Sequence, residues 1–550
     1  KVDTYGTQQP IALLHYLVNR GAVYDREKDL NLKILKDLQF IGAMGPPGGG
    51  RNPVDTRFIA LFNVFNLTPP TEQVLKDIYG AIITTRFTSF NDGIKGVAGK
   101  IPEAMLKLYH FIVDRMPPTP SKFHYIFNLR DLSRVTEGLC VATTDVFEKS
   151  GDIIRLLRHE CDRIFCDRLT TEEDQKTYSG ELSSIIKSSF AGDAEQALKD
   201  PCVLGDFEHA VGRIESAEED PRLYKDMGDL ESVRKIFDQV LDLYNTENKP
   251  MSLVLFQQAL EHVTRIHRII RNPRGNALLV GVGGSGKQSL THLAAFCAGL
   301  SLFQVTLSRG YGEEQFKEDL KELYKQLGSG PVLFLFTDAH VVEEGFLEFI
   351  NNMLTTGMVP ALYEQDEKDA LCNTVRAEVK AAGIMETPDN LWNFYVQKCR
   401  DNLHIVLAMS PSGSKLRIRC RNFPGLVSNA VIDWFFPWPG QALKRVAEFF
   451  LREEQLPDEH REGVIDHLVF AHQNVTQAAA RFAEELRRFY YVTPKNYLDF
   501  LSNYKAQLTL NRKNVKSSTK RLEGGLQKLV EAADAVERMQ VVLAEKSIVV

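Results

Sequence analysis

Apolar positions set out a sequence of elements before any motif is considered. Residues 11–20, IALLHYLVNR, carry them at helical spacing, and residues 38–44, LQFIGAM, predict a short buried strand that runs into the loop PPGGGRNP. A strand ending in a Gly/Pro loop commonly carries function. Helical spacing resumes from about 72 to 115, stops at Pro117, Pro118 and Pro120, and returns near Leu129–Gly138. Residues 150–250 read as mostly helical and charged, with turn signals at Asp200-Pro201 and Asp220-Pro221, and are expected to form a connector.

From about 276 the pattern changes to strand, loop and helix: NALLV, GVGGSGKQS, then LTHLAAFCAGL. Two further apolar runs follow, PVLFLFTD at 331–338 and NLHIVLAMS at 402–410, with helical stretches between them. This alternation predicts an α/β fold, a parallel sheet with helices on both faces. The last strongly patterned segment begins near 515. There Leu522, Leu526, Leu529, Ala533, Val536 and Leu543 fall on alternating four- and three-residue steps, with Gln540 at the remaining seam position and Gly524 and Gly525 as the interruptions.

At 550 residues the chain has room for about three or four folding units. A hydrophobic content of 44% against 25% charged residues excludes disorder as the general state. The formal charge of -6 is spread without a sustained basic block, which gives no support to nucleic-acid or membrane-surface binding. The eight cysteines are scattered, and Cys161 and Cys166 lack the two-residue gap of a zinc or redox motif, so they read as buried reduced thiols. No apolar run reaches the ~18 residues of a membrane span, and no signal-peptide pattern opens the chain. A start at Lys1 and a stop at Val550 inside a helical pattern read as a piece of something larger.

The strongest chemical motif is Gly281-Val282-Gly283-Gly284-Ser285-Gly286-Lys287, set between a predicted strand and a predicted helix. Glycines there let backbone N–H groups turn onto phosphates, the helix N-terminus adds positive potential, and Lys287 can reach the β/γ-phosphates. The next residue is Gln288, where a Ser or Thr hydroxyl ordinarily binds Mg²⁺, and Ser289 follows one place later. Asp338 ends the apolar strand that begins at Val332, the position of the acid that holds Mg²⁺ through water. Ala339 then stands where an AAA+ ATPase has the Glu that activates water, so the site is expected to bind ATP or ADP and to hydrolyse it poorly. Glu343 and Glu344 are the nearby carboxylates that could fill that role.

Longer strings resemble the motor region of dynein heavy chains. KVDTYGTQQPIALL is similar to the helix after the Walker B motif of the third AAA+ module, FIGAMGPPGGGRNPVDTRF to its sensor I region, and KFHYIFNLRDLSRV to its sensor II segment. GVGGSGKQSLTHLAAF, LFTDAHVVEEGFLEFINNML, NLHIVLAMSP, RCRNFPGLV and AVIDWFFPWP resemble successive landmarks of the fourth module. The resemblance implies that Arg130 is the third module's sensor II arginine and that Arg57 is an arginine finger toward the preceding module. Met44 falls where other modules carry a polar sensor I residue. In the fourth module it makes Ser410 the sensor I residue and Lys495 the sensor II position, with Arg421, or alternatively Arg419, as the finger toward the third module's site.

The resemblance divides the chain into 1–68, part of the third module's large subdomain; 69–170, its helical lid; and 171–220, a connector. It then places the fourth module's P-loop subdomain at 221–440, its lid at 441–510, and the start of an antiparallel coiled-coil stalk at 511–550. The implied protein is an ATP-driven, minus-end-directed microtubule motor. Its partners would be microtubules, reached through a stalk tip, and other dynein heavy, intermediate and light chains. Gln288 and the missing Glu after Asp338 are more like axonemal than cytoplasmic dyneins, which implies a cilium or flagellum. The rival readings are another AAA+ remodelling ATPase, which would need a Walker B Glu, and a degenerate P-loop scaffold that binds nothing.

Overall fold

In the computed structural model, which describes residues 6–25, 29–45, 53–215 and 222–550, five apolar runs pair into one parallel sheet. They are β1 (Ala277–Val280), β2 (Ser301–Phe303), β3 (Val332–Thr337), β4 (Leu403–Met409) and β5 (Val431–Trp434), in the spatial order β2-β3-β4-β1-β5. The strand that feeds the Gly-rich loop therefore lies inside the sheet, between β4 and β5, with Leu278 opposite Leu407 on one side and Ile432 on the other.

Both sheet faces are covered, which explains why the strands read as continuous apolar runs rather than alternating ones. Ala277, Leu279, Leu333, Leu335, Val406 and Ala408 join one core, while Leu278, Val280, Phe334, Phe336, Ile405 and Leu407 join the other. Phe334 and Phe336 are fully buried, each burial contributing about 1.5–3 kcal/mol. Among the described residues no helix is long and apolar enough to cross a membrane.

Two helices meet behind β1 and β5. Helix α1 (Ser150–Ile164) brings Glu160 to 1% exposure, and helix α2 (Gln257–Arg271) places His262, Arg265, Arg268 and Arg271 at steps of three along one side. Each member of that ladder meets an acid from a different segment. His262 shares a 2.7 Å hydrogen bond with Asp433, and Arg265 donates to Asp433 at 3.1 Å and pairs with Asp167 at 3.2 Å. Arg268 clasps Glu160 through Nε (3.1 Å) and Nη2, and Arg271 donates to Asp206 at 2.6 Å. Burial would raise the Glu160 pKa, yet Arg268 and the His159 hydrogen bond hold it at about 2. A Cβ at Gly138 would overlap the Glu160 carboxylate, so this closeness needs glycine on the helix Leu129–Leu139.

The sheet is followed by the helices Gly440–Phe450 and Asp458–Leu486, then by a single 56-residue helix, Pro494–Val549. Thr493 and Asn496 form its capping box, and Pro494 occupies the first turn, where no N–H is needed. The helix starts some twenty residues before the heptad pattern becomes visible, because its first turns are held by Tyr497 and Leu501, both fully buried. It runs unbroken past 510 and through Gly524 and Gly525 to a length of roughly 84 Å at 1.5 Å per residue. Arg512 ties it to Glu454 at 3.4 Å. Beyond that point its stripe is exposed: Leu522 by 72%, Leu529 by 69% and Leu543 by 64%.

The chain divides into two units, residues 1–78 and residues 79–550. In the first, the helix Gln9–Arg20 ends on Gly21 in the left-handed region, and Ala22–Tyr24 pairs antiparallel with Leu32–Ile34. The strand expected at 38–44 is not formed: among the described residues no neighbour supplies its ladder hydrogen bonds, and Ile41 is 93% exposed. Residues 46–52 of the following loop, and residues 1–5 of the opening string, lie outside the described residues.

Candidate functional site

The Gly-rich loop spans the turn from β1 into helix α3 (Lys287–Ala298). Gly284 and Gly286 have φ of 81° and 93°, the left-handed region that only glycine enters freely, and they turn the loop's amides inward. A hydrogen bond from Gly281 N to Met409 O (3.0 Å) anchors the loop's first residue to β4. Lys287 Nζ donates back to the carbonyls of Gly281 (2.5 Å) and Val282 (2.9 Å) and to Ser285 Oγ (3.2 Å). Burial lowers its pKa to about 8, with Asp338 pulling the other way. An arriving anion would find a cation and a set of amides already in place.

That loop floors a cavity of about 450 Å³, also lined by Gln288, Ser289, Asp338, Ala339 and Ser410. Its far wall is apolar: Val254, Phe256, Trp438, Val446, Phe450 and Leu498, with Phe256 and Trp438 edge to face at 5.3 Å. An anion cradle beside an apolar slot suits a phosphorylated heteroaromatic group. Thr337 also lines the cavity, 3% exposed, and its hydroxyl has no partner among the described residues. A bound polar group would satisfy it.

The acid expected to hold Mg²⁺ is already committed. Asp338 Oδ2 accepts from Ser410 N at 2.5 Å, and Oδ1 accepts from Arg419 Nη1 at 2.7 Å. Arg419, on helix α4 (Lys415–Asn422), is 7% exposed and also donates to Glu344 through Nη2 at 2.7 Å and Nε at 3.1 Å. Burial lowers its pKa, but the Glu344 and Asp338 carboxylates more than compensate and leave it raised. Two carboxylates, Asp338 and Glu344, turn Arg419, the alternative finger candidate, inward. Arg421, two residues on, is exposed. In this arrangement both Asp338 oxygens already have a donor, with the side chain 40% exposed, while the loop and slot fit a nucleotide.

Ser410 joins the site through its backbone N–H, and its hydroxyl donates to Ser412 at 3.1 Å. The exposed Lys495 comes to the loop through its backbone: a Cβ on Gly284 would stand 2.5 Å from Lys495 N. The long helix thus begins on the phosphate loop, and Tyr491 just before it accepts from Gly413 N at 3.2 Å. Arg130 is not in this site. It donates to Ser428 O (2.9 Å) and Asn429 Oδ1 (2.6 Å) and lines a second cavity of about 370 Å³ with Arg134, Arg274 and Arg400. Arg57 and Met44, in the other unit, are exposed.

Sequence reasoning missed the apolar slot, whose Trp438 and Phe450 lie more than 140 residues from the loop, although Trp438 sits in the quoted string AVIDWFFPWP. It also missed the ladder on α2. There the three-residue spacing in HVTRIHRIIR was a readable signal.

Residues 251–507 match the family described as P-loop containing dynein motor region D4, residues 1–70 the P-loop containing dynein motor region, and residues 101–200 the AAA+ lid domain. The chain is 53% identical over 556 residues to the dynein-1-alpha heavy chain of the flagellar inner arm I1 complex of Chlamydomonas reinhardtii, covering 100% of this chain and 12% of that protein. It is 50% identical over 552 residues to human dynein axonemal heavy chain 10, again across 100% of this chain and 12% of the relative. With the flagellar outer-arm beta chain of Chlamydomonas reinhardtii the identity is 41% over 552 residues, 100% of this chain and 12% of that one. The chain spans about 12% of the length of these relatives. A parallel P-loop sheet, matches to two dynein motor regions with an AAA+ lid domain between them, and similarity along the whole chain agree: the chain belongs to the dynein heavy-chain family, within its AAA+ motor region.

Proposed function

We propose that the cavity over Gly281 to Ser289 is the adenine-nucleotide site of a fourth AAA+ module, regulatory rather than the main hydrolytic one. The observation that carries this is the joining of Lys287 and the loop to an apolar slot, in a cavity where Ala339 follows Asp338 and supplies no carboxylate. Lys287 would meet the phosphates, the loop amides would hold them, and the slot would exclude water from the base. Of the two candidate replacement bases, Glu343 and Glu344, Arg419 holds Glu344. Nucleotide without turnover acts by favouring one arrangement of the ring over another.

The whole protein would be an ATP-driven, minus-end-directed microtubule motor of a cilium or flagellum, working with other dynein heavy, intermediate and light chains. Residues 511–550 would begin its coiled-coil stalk, and the root of that helix on Gly284 supports a direct path from nucleotide to stalk. Arg130, facing Asn429 with Arg134 beside it, would serve the third module's site as sensor II, and the exposed Arg421 would be its finger. Arg57 would serve the module before.

The test is equilibrium binding of ATP to the chain and to Lys287→Ala. Loss of that charge-assisted contact is expected to weaken binding by about one to two orders of magnitude, ~1.5–3 kcal/mol, with turnover low in both. Unchanged affinity would overturn the assignment of the loop, and fast Lys287-dependent turnover would overturn the regulatory role.

A further inference from the structure

We propose that Arg419 is a built-in counter-cation of the fourth-module site, holding Asp338 in the place of Mg²⁺ so that nucleotide binds there with little help from the metal. The inference rests on the nucleotide reading above and adds to it which cation the site uses.

Three observations converge. First, Asp338 has no oxygen without a donor: Ser410 N takes one and the Arg419 guanidinium the other, at 2.5 and 2.7 Å. Second, Arg419 is locked there. Its side chain is 9% exposed, and Glu344 receives the other edge of the guanidinium at 2.7 and 3.1 Å, a forked geometry that Arg holds far better than a point charge would. Third, the residue after Lys287 is Gln288, so the loop offers no hydroxyl where a metal would need its second protein ligand. The loop lacks one metal ligand, and the other candidate, with its side chain 40% exposed, already accepts two hydrogen bonds.

Electrostatics makes the arrangement self-consistent. Lys287 and Arg419 offset Asp338 and Glu344, so these four side chains carry no excess negative charge to draw in a divalent cation, while the loop amides still attract phosphate. A metal-bound water at Asp338, whose side chain is 40% exposed, would compete with the Arg419 guanidinium for the same carboxylate charge. A desolvated guanidinium that gives up one of two carboxylates loses charge-assisted hydrogen bonds and regains little water.

The experiment is calorimetric titration of the full chain with ATPγS, in Mg²⁺ and again in EDTA, taking as signal the binding that Lys287→Ala weakens. For the unsubstituted chain the two affinities are expected to agree within about threefold. Arg419→Gln, which keeps a donor but removes the charge, is expected to separate them by about tenfold or more, with the tighter value in Mg²⁺. Arg419→Lys should lie nearer the unsubstituted chain. A loss of about tenfold in EDTA by the unsubstituted chain, matched by Arg419→Gln, would overturn the proposal. Should Arg419→Gln fail to fold by circular dichroism, the metal dependence of the unsubstituted chain decides alone. Affinity unchanged by Lys287→Ala would instead remove the nucleotide reading on which the proposal stands.

Discussion

The α2 ladder and the far half of the long helix are opposite solutions for the surface of a helix. Along α2 four cationic or imidazole side chains are carried into the interior, and each is met by an acid from elsewhere in the chain: Asp433, Asp167, Glu160 and Asp206. Past Arg512 the long helix holds leucines outward, and among the described residues nothing covers them. Polar groups are thus finished where they are buried, and apolar groups are unfinished where they are exposed. The first region behaves as structure complete in itself; the second has the character of a surface that gains stability only from a partner helix.

The sharpest way to break this contrast is pH. Burial lowers His124, His159 and His267 from 6.5 to about 4, so each is neutral in the fold and binds a proton more readily when unfolded. Their contribution is complete above pH 6.5 and is lost as pH falls toward 4. At pH 5 the loss is roughly 2 kcal/mol for each histidine, partly offset by Asp167, whose pKa burial raises. Urea unfolding of the chain at pH 7 and pH 5 should show a large fall, and equal midpoints would mean these histidines are not buried as described.

Next in size, Arg268→Ala leaves Glu160 charged and buried with its main partner gone, and is expected to cost about 3–5 kcal/mol in the same unfolding measurement. A cost below about 1 kcal/mol would place Glu160 in contact with water and dissolve the distinction drawn above. At the small end, Leu529→Ser on the exposed stripe should change stability by about 0.5 kcal/mol or less, the scale of helix propensity alone. A loss of about 2 kcal/mol there would reveal that the stripe is packed in the isolated chain.

Much of the site was legible because its parts are local. A loop of six residues between a strand and a helix encodes its own geometry, since Gly284 and Gly286 must be able to take positive φ and Lys287 must follow. Ala339 was equally readable, being a fixed step from the end of its strand. The strand expected at 38–44 failed for the complementary reason: an apolar run specifies a strand only where a neighbour supplies the ladder, and periodicity cannot report the neighbour.

By itself, then, the sequence determined the phosphate loop, the strand that ends at Asp338, the parallel α/β class and the exposed seam from Leu522 to Leu543, because each is written in residues close along the chain. Tertiary structure alone decided which acid meets which cation. Asp338 and Arg419 are 81 residues apart and Glu160 and Arg268 are 108 apart, and no local pattern distinguishes an arginine bound to its own module from one that reaches outward. Arg419 and Arg421 differ by two positions on one short helix, which is enough to turn one into the sheet and the other to solvent. Charge pairing is a property of the packed interior, where low dielectric makes each partner matter, and only the fold assembles that interior.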